Sequence, residues 1–161
     1  MAMSDNFQAE QVISSNPTIF RFNGGALLTS DELASTREWP ADLSAATERV
    51  IQRDQRIFFR FRWSVSGLLV PLLSNQNVWH LEVFFEKMGG GEIHLGGFAQ
   101  TSVNFVQTSG HVYDHTMIFP PNSIEDGVYD VVAVIRFRDS RNRPGPIAAF
   151  AELGKITVYE D

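Results

Sequence analysis

The chain has 161 residues, a formal net charge of −6 and no cysteine, with 43% hydrophobic and 20% charged residues. A chain of this length fits one domain and buries enough surface to fold without a metal or a disulfide. The acidic balance argues against general nucleic-acid binding, which needs a basic footprint. The 13 phenylalanines, against 3 tyrosines and 3 tryptophans, favour β-structure, because large flat side chains suit pleated surfaces.

The number of cysteines and the lengths of the apolar runs indicate the cellular compartment. The absence of cysteine favours a reducing environment, and residues 1–10 hold no basic segment followed by an apolar one, so no signal peptide is predicted. The longest apolar run, residues 67–73, is interrupted by Pro71 and is far shorter than the roughly 20 residues of a membrane helix. We therefore expect a soluble, cytoplasmic protein with no membrane partner.

The N-terminal third differs in pattern from the rest of the chain. Residues 1–54 are predicted to form an extension that packs on, or links to, a core domain over residues 55–161. Its apolar side chains could lie across a sheet of that domain. They are Phe7, Val12, Ile13, Ile19, Phe20 and Phe22.

Local signals within the extension predict short elements. A short strand is predicted over residues 18–22, followed by a turn at residues 23–25, Asn-Gly-Gly. Capping residues at 29–32 predict one or two helical turns, which end at residues 39–40, Trp-Pro. Residues 41–51 fit a short helix or a first strand equally well.

From residue 55 onward, apolar side chains fall on alternate positions, which is typical of half-buried strands. The two strongest stretches are residues 57–65 and 79–85, and three glycines at 89–91 predict a turn after the second. Further strands are predicted over residues 98–106, 111–119, 129–137 and 147–159, the last bent at Gly154. Many short strands joined by turns predict an all-β antiparallel sandwich or barrel.

One short motif resembles a known family. Glu125-Asp126-Gly127-Val128-Tyr129 is similar to the acid-x-Gly-x-Tyr signature before strand F of immunoglobulin-like domains, and Trp79 opens a strand as the core tryptophan of strand C does. The resemblance implies an immunoglobulin-like β-sandwich in which the tyrosine bonds back to nearby backbone. The two cysteines of true immunoglobulin domains are absent, and Val131 stands at the place of the second. The fold hosts many unrelated roles, so the resemblance favours binding or assembly without naming a partner.

Two kinds of side chain are predicted to form a binding site. Arg138, Arg141 and Arg143 surround the loop after the late strand, where forked guanidinium contacts could hold a carboxylate, a phosphate or an acidic partner. Phe58 and Phe84 lie on faces that the alternation marks as polar, which suggests coverage by the extension or by another subunit.

Catalytic and metal-binding patterns are weak. His111 and His115 share one face of a strand, roughly 13 Å apart by backbone rise, which is too far to share one ion. No Gly-x-Ser-x-Gly elbow or phosphate loop occurs in the sequence. We expect no catalytic residue, no metal and no cofactor.

These observations lead to three functional hypotheses. The first is a non-enzymatic protein-interaction or assembly module that forms homo-oligomers or binds a protein partner. The second is a small-molecule or lipid carrier with an anionic-group site near Arg138, Arg141 and Arg143. The third is a metal-dependent enzyme that uses histidines, drawn from His80, His94, His111 and His115.

Overall fold

The computed structural model describes residues 6–11, 16–30 and 39–161. One short helix, α1 (Leu43–Ala46), and two single 3₁₀ turns, Val70–Leu72 and Gly97–Ala99, occur within these ranges. The remaining elements are strands. They are β1 (Gln8–Gln11), β2 (Arg21–Ser30), β3 (Val50–Gln52), β4 (Ile57–Ser66), β5 (Val78–Lys87), β6 (Gly91–Glu92), β7 (Gln100–Asn104), β8 (Val112–Phe119), β9 (Gly127–Arg138) and β10 (Pro144–Tyr159).

The strands form two sheets. The larger has seven strands, in which β9 pairs with both β5 and β10, β6 and β7 extend the β5 side, and β1 and β3 extend the β10 side. The smaller has three strands in the order β2-β4-β8. All pairings are antiparallel except that of β3 with β10. The sequence pattern did not distinguish a sandwich from a barrel. Because the strands form two separate sheets and neither sheet closes on itself, the fold is a sandwich.

The inner faces of the two sheets meet in one aromatic core. Trp63 of the small sheet packs edge-on against Trp79 of the large sheet, with ring centroids 6.0 Å apart, and both side chains are 0% exposed. Phe59 makes a similar contact with Phe85 across the sheets at 5.9 Å. Fully burying one such side chain contributes about 1.5–3 kcal/mol, and favourable ring geometry adds about 0.5–1.5 kcal/mol per pair. The alternation in the sequence therefore identified the face of each of these strands that builds the core.

The corner before β9 confirms the immunoglobulin-like fold. The hydroxyl of Tyr129 donates a hydrogen bond to the backbone carbonyl of Glu125 at 2.7 Å, which is the bond that the motif implies. Ile124, on the intervening turn, is buried, and so is Val131, at the place of the missing cysteine. Burial raises the pKa of Tyr129, with the charges of Glu125 and Asp126 adding to the effect, so the hydroxyl keeps its proton at neutral pH and remains a donor.

The predicted turn at residues 23–25 is wrong. Gly24 and Gly25 lie inside β2, which pairs with β4 along its whole length from Arg21 opposite Ser66 to Ser30 opposite Ile57. A Cβ atom on Gly24 would stand 2.6 Å from Cβ of Trp63, so this glycine lets the strand pack against a tryptophan and makes no turn.

The other N-terminal predictions have mixed outcomes. Residues 41–51 contain both of the elements that the sequence left open, since α1 is helical and β3 is a strand. Residues 29–30 end β2, and the rest of the predicted helical start lies outside the described residues. The same is true of Val12 and Ile13, whereas Phe7, Phe20 and Phe22 belong to the core.

β10 bends at Gly154 as predicted. The pairing of β10 with β9 shifts register between Glu152 and Gly154, and Gly154 has a φ of +87°, a backbone angle that L side chains rarely adopt. The extra residue of this bulge reverses the strand's alternation, so Leu153 and Ile156 both face the core.

Candidate functional site

The predicted site residues lie in three separate places. Arg138, Arg141 and Arg143 flank the turn between β9 and β10. Phe84 lies on the outer face of the large sheet, on β5, and Phe58 lies on the outer face of the small sheet, on β4. The structure therefore brings the three arginines together but separates the two phenylalanines by the thickness of the sandwich.

Asp139 stabilises the arginine turn, which is formed by residues 138–143 between β9 and β10. Its carboxylate accepts hydrogen bonds from the backbone N–H of Arg141 and of Arg143, both at 2.9 Å, and pairs with Nε of Arg143 at 2.7 Å. The hydrogen bond from the Arg143 backbone is the largest of the effects that lower the pKa of Asp139. Arg138 donates to the backbone carbonyl of Asn142 at 3.2 Å. Arg138 and Arg143 thus bond within the turn, whereas the exposed guanidinium of Arg141 makes no such bond among the described residues.

Phe84 lies beside an acidic depression on the large sheet. Arg136 stands over its ring at 5.9 Å and pairs with Glu82 at 2.9 Å. The depression measures about 210 Å³ and is lined by Phe84, Val132 and three carboxylates, those of Glu86, Glu92 and Asp130. Phe84 is half-buried by these neighbours on its own sheet.

Phe58 is half-buried on the outer face of the small sheet. It stands opposite Ile118 of β8 and Thr29 of β2, and Arg56 lies over its ring at 5.5 Å. Ile118, the residue opposite Phe58 on β8, is 50% exposed. An apolar pair therefore runs across the small sheet to the strand at its edge.

The four histidines do not come together. His80 lies on the outer face of the large sheet, His94 lines a depression of about 110 Å³ after β6, and His111 packs edge-on against Tyr113 at 4.7 Å. His115 faces Phe61 across the small sheet. Among the described residues, no group of three or more His, Asp or Glu side chains could hold a metal ion.

The surroundings of His80 lower its pKa. Burial is the largest cause that lowers its pKa, and the positive charges of Arg138 and Arg136 lower it further, while Glu82, 3.7 Å away, opposes them. His80 is therefore neutral at pH 7 and serves as a packed part of the sheet surface.

A strand edge exposes backbone donors and acceptors that can pair with another chain, and the chain closes most of its own edges. On β2, the backbone N–H groups of Asn6 and Phe7 donate to Gly24, and the side chain of Asn6 exchanges hydrogen bonds with both backbone groups of Ala26. The backbone N–H of Glu48 donates to Leu28 at 3.0 Å.

The outer edge of β10 is closed in the same way. β1 pairs with residues 147–150 and β3 pairs with residues 157–159. Between them, the guanidinium of Arg49 donates to the backbone carbonyl of Leu153 at the bulge. The long strand β10 therefore presents no continuous edge to another chain.

β8 is the longest strand that keeps an open edge in the described part of the chain. Its 8 residues pair with β4 on one side, and within the described part of the chain no backbone hydrogen bond joins residues 112–119 to anything on the other side. The turn at Gly97–Ala99 reaches only the end of the strand, where Phe98 contacts Phe119 at 4.9 Å. β7, with 5 residues, is a shorter edge on the large sheet.

The side chains of β8 suit pairing with another strand. Val112 and Ile118 are 44% and 50% exposed on its outer face. The one acidic residue between them, Asp114, is held by Arg60 through two hydrogen bonds of 3.0 and 2.6 Å. β8 contains no lysine, no proline and no register shift along its pairing with β4, which are the usual protections of an edge. Sequence reasoning located this strand but missed its place at an edge, because pairing partners are not encoded locally.

Comparisons with known proteins add little. No family model matches the sequence, and no curated protein matches it. Among solved structures, the CARDB domain of a Pyrococcus furiosus protein in complex with di-metal ions is similar over 90% of this chain and 95% of that chain, at 11% identity and a TM-score of 0.43. A Niemann-Pick type C2 protein from the Japanese carpenter ant is similar over 90% and 96%, at 8% identity and a TM-score of 0.39. Likenesses this remote do not bear on function, so the fold assignment rests on the strand pairing.

Within residues 6–11, 16–30 and 39–161, no helix combines the length and apolar character that crossing a bilayer requires.

Proposed function

We propose that the protein is a non-enzymatic interaction module that self-associates by pairing the β8 edges of two copies. The observation that carries this proposal is the contrast between edges. The edges of β2 and β10 are closed by Asn6, Arg49 and the short strands β1 and β3, whereas no described residue closes the edge of β8. Natural domains that remain monomeric protect such edges, so an unprotected edge beside protected ones indicates a place for a partner strand.

The geometry of β8 limits how two copies can pair. In an antiparallel pair, opposing residues must face the same side of the sheet. A twofold axis at His115 meets this condition and sets Val112 of one copy opposite Ile118 of the other. Each such cross-strand apolar pair contributes roughly 0.2–1 kcal/mol beyond the backbone hydrogen bonds, and the twofold axis gives two of them. Two three-stranded sheets then become one continuous sheet.

Size-exclusion chromatography with light scattering tests the proposal. The protein at tens of micromolar is expected to elute as a dimer, and the double variant V112K/I118K as a monomer, because lysine on an edge repels a second strand. The matched control is V128K, which places a lysine at a 39% exposed valine on the large sheet and should remain dimeric. A monomeric parent protein at that concentration would overturn the proposal.

The register can be trapped because the chain has no cysteine of its own. Opposing residues of an antiparallel pair are close enough for a disulfide in favourable cases. V112C/I118C is expected to form covalent dimers under mild oxidation. V112C/T116C carries as many cysteines on the same face but pairs them only if the strands slip by two residues. Dimers from the control alone would disprove the register at His115.

Cytoplasmic placement, the carrier hypothesis and the histidine-dependent enzyme stay predictions from the sequence. We propose that Arg138 and Arg143 act mainly as parts of the β9–β10 turn, since both are bonded within it.

A further inference from the structure

An apolar loop projects from one end of the sandwich. Residues 67–77 join β4 to β5, crossing from the small sheet to the large one, and contain no charged residue. Val70 is 0% exposed and anchors the loop in the core, while Leu68 and Leu72 are 71% and 78% exposed. These two leucines are the most exposed large apolar side chains in the described part of the chain. Isolated exposed leucines are ordinary, but two on one uncharged loop are not.

The backbone donors of residues 67–73 are all bonded within the protein. The N–H groups of Leu68 and Leu69 donate to the carbonyls of Thr18 and Ile19, each at 3.1 Å. The N–H groups of Val70, Leu72 and Leu73 donate within the loop itself, and Pro71 has none. A segment whose donors are bonded internally can enter an apolar medium without the penalty of stripping water from them.

The same end of the molecule carries positive charge. Val78, directly after the loop, pairs with Arg138, so the loop and the arginine turn are neighbours. Arg21 begins β2 opposite Ser66, at the start of the loop. In the segments that make up this end, residues 16–21, 67–77, 105–111 and 138–143, there are four arginines and one carboxylate, Asp139. That carboxylate is already paired with Arg143.

The opposite end has the reverse sign. Residues 53–56, 120–126 and 160–161, which meet at this end, contain five carboxylates and two arginines, and one of these arginines, Arg53, pairs with Asp126 and Glu160. Although the net charge is −6, positive and negative charges are divided between the two ends of the sandwich. Because of this division, the arginine end can attract an anionic partner, which composition alone would not suggest.

We propose that this end docks on an anionic membrane surface, with Leu68 and Leu72 entering the boundary between headgroups and acyl chains and Arg141 contacting lipid phosphates. Apolar tips within a basic rim are the combination that surface binding requires. The expectation of no membrane partner considered segments long enough to span a bilayer, and docking on a surface needs none. This proposal is independent of pairing through β8.

Vesicle co-sedimentation tests the docking. The probes are vesicles of phosphatidylcholine alone and of phosphatidylcholine with about a third phosphatidylserine. The protein should bind the phosphatidylserine vesicles, and binding should weaken at high salt. L68D/L72D should reduce the association constant by at least tenfold, because burial of each leucine contributes about that factor. R141E should reduce binding severalfold. V50D, at a 63% exposed valine of β3, is the control and should bind at least a few-fold more tightly than L68D/L72D.

Each other outcome counts against the proposal. All three altered side chains of the test variants are exposed, so circular dichroism is expected to show an unchanged fold. Absence of vesicle binding at millimolar lipid would overturn the proposal. So would binding that L68D/L72D leaves unchanged, since the leucines would then have no part in it. Retention on polyglutamate beads through Arg141, without vesicle binding, would overturn it in favour of an acidic protein partner.

Discussion

Replacing Tyr129 with phenylalanine isolates the hydrogen bond of the corner. The side chain is 0% exposed, and the change keeps the ring, so the apolar contacts of the core remain. What is lost is the 2.7 Å bond to the Glu125 carbonyl, which leaves an acceptor beside a buried ring. A bond of this kind contributes about 0.5–1.5 kcal/mol net, and an unsatisfied partner raises the loss. We expect the free energy of unfolding to fall by about 1–2 kcal/mol, which corresponds to a lower Tm by roughly 2–8 °C for a chain of this size.

Urea denaturation followed by tryptophan fluorescence measures this difference. Y159F is the matched control, because the Tyr159 side chain is 38% exposed and its hydroxyl makes no hydrogen bond within the described part of the chain. It should change the free energy of unfolding by less than about 0.5 kcal/mol. If Y129F and Y159F lose equal stability, or if Y129F loses none, the corner does not stabilise the fold in the way argued.

The raised pKa of Tyr129 predicts how stability changes at alkaline pH. The folded state raises the pKa of Tyr129, chiefly through burial, so its contribution is fully present below the unfolded value near 10 and is lost as pH rises through the higher folded pKa. Y129F should therefore lose less stability than the parent protein between about pH 10 and 12.

Changes elsewhere test the bulge, the sheet surface and the arginine turn. G154A should lower the free energy of unfolding by about 1–2 kcal/mol, because an L side chain strains a φ of +87° and its Cβ would stand 2.6 Å from Arg49; urea denaturation measures it. The pKa of His80 is lowered, mainly by burial, so its contribution is present above the unfolded value near 6.5 and lost as pH falls. H80Q should therefore show a flatter decline of Tm from pH 7 to 5 than the parent. D139N should loosen the turn at Arg143 at neutral pH, seen as faster amide exchange there, and the difference should shrink only below the ordinary aspartate pKa of about 3.9, because the hydrogen bond from Arg143 lowers the pKa of Asp139.

Much of the sandwich was predictable because apolar and polar side chains alternate along each strand. Trp63 and Trp79 fall on the apolar faces of two strands that the sequence identifies, and those faces do meet in the core. The corner at Tyr129 was predictable for a different reason, since its bond spans only 4 residues and depends on a local motif. The role of Gly24 could not be predicted from local sequence because it depends on Trp63, which is 39 positions away along the chain but directly opposite in the sheet.

The sequence by itself determined the fold class, the core-facing side chains, the bend at Gly154 and the likeness of the corner to immunoglobulin-like domains, because all of these depend on spacing within one strand or turn. Only the tertiary structure decided which strands are edges and which edges are closed. Asn6 covers β2 and Arg49 covers the bulge of β10, over separations of 20 and 104 residues, while nothing in the described chain covers β8. It also decided that Leu68 and Arg141 share one end of the molecule. Such juxtapositions arise from packing between distant segments, and no local pattern of apolar or charged residues specifies them.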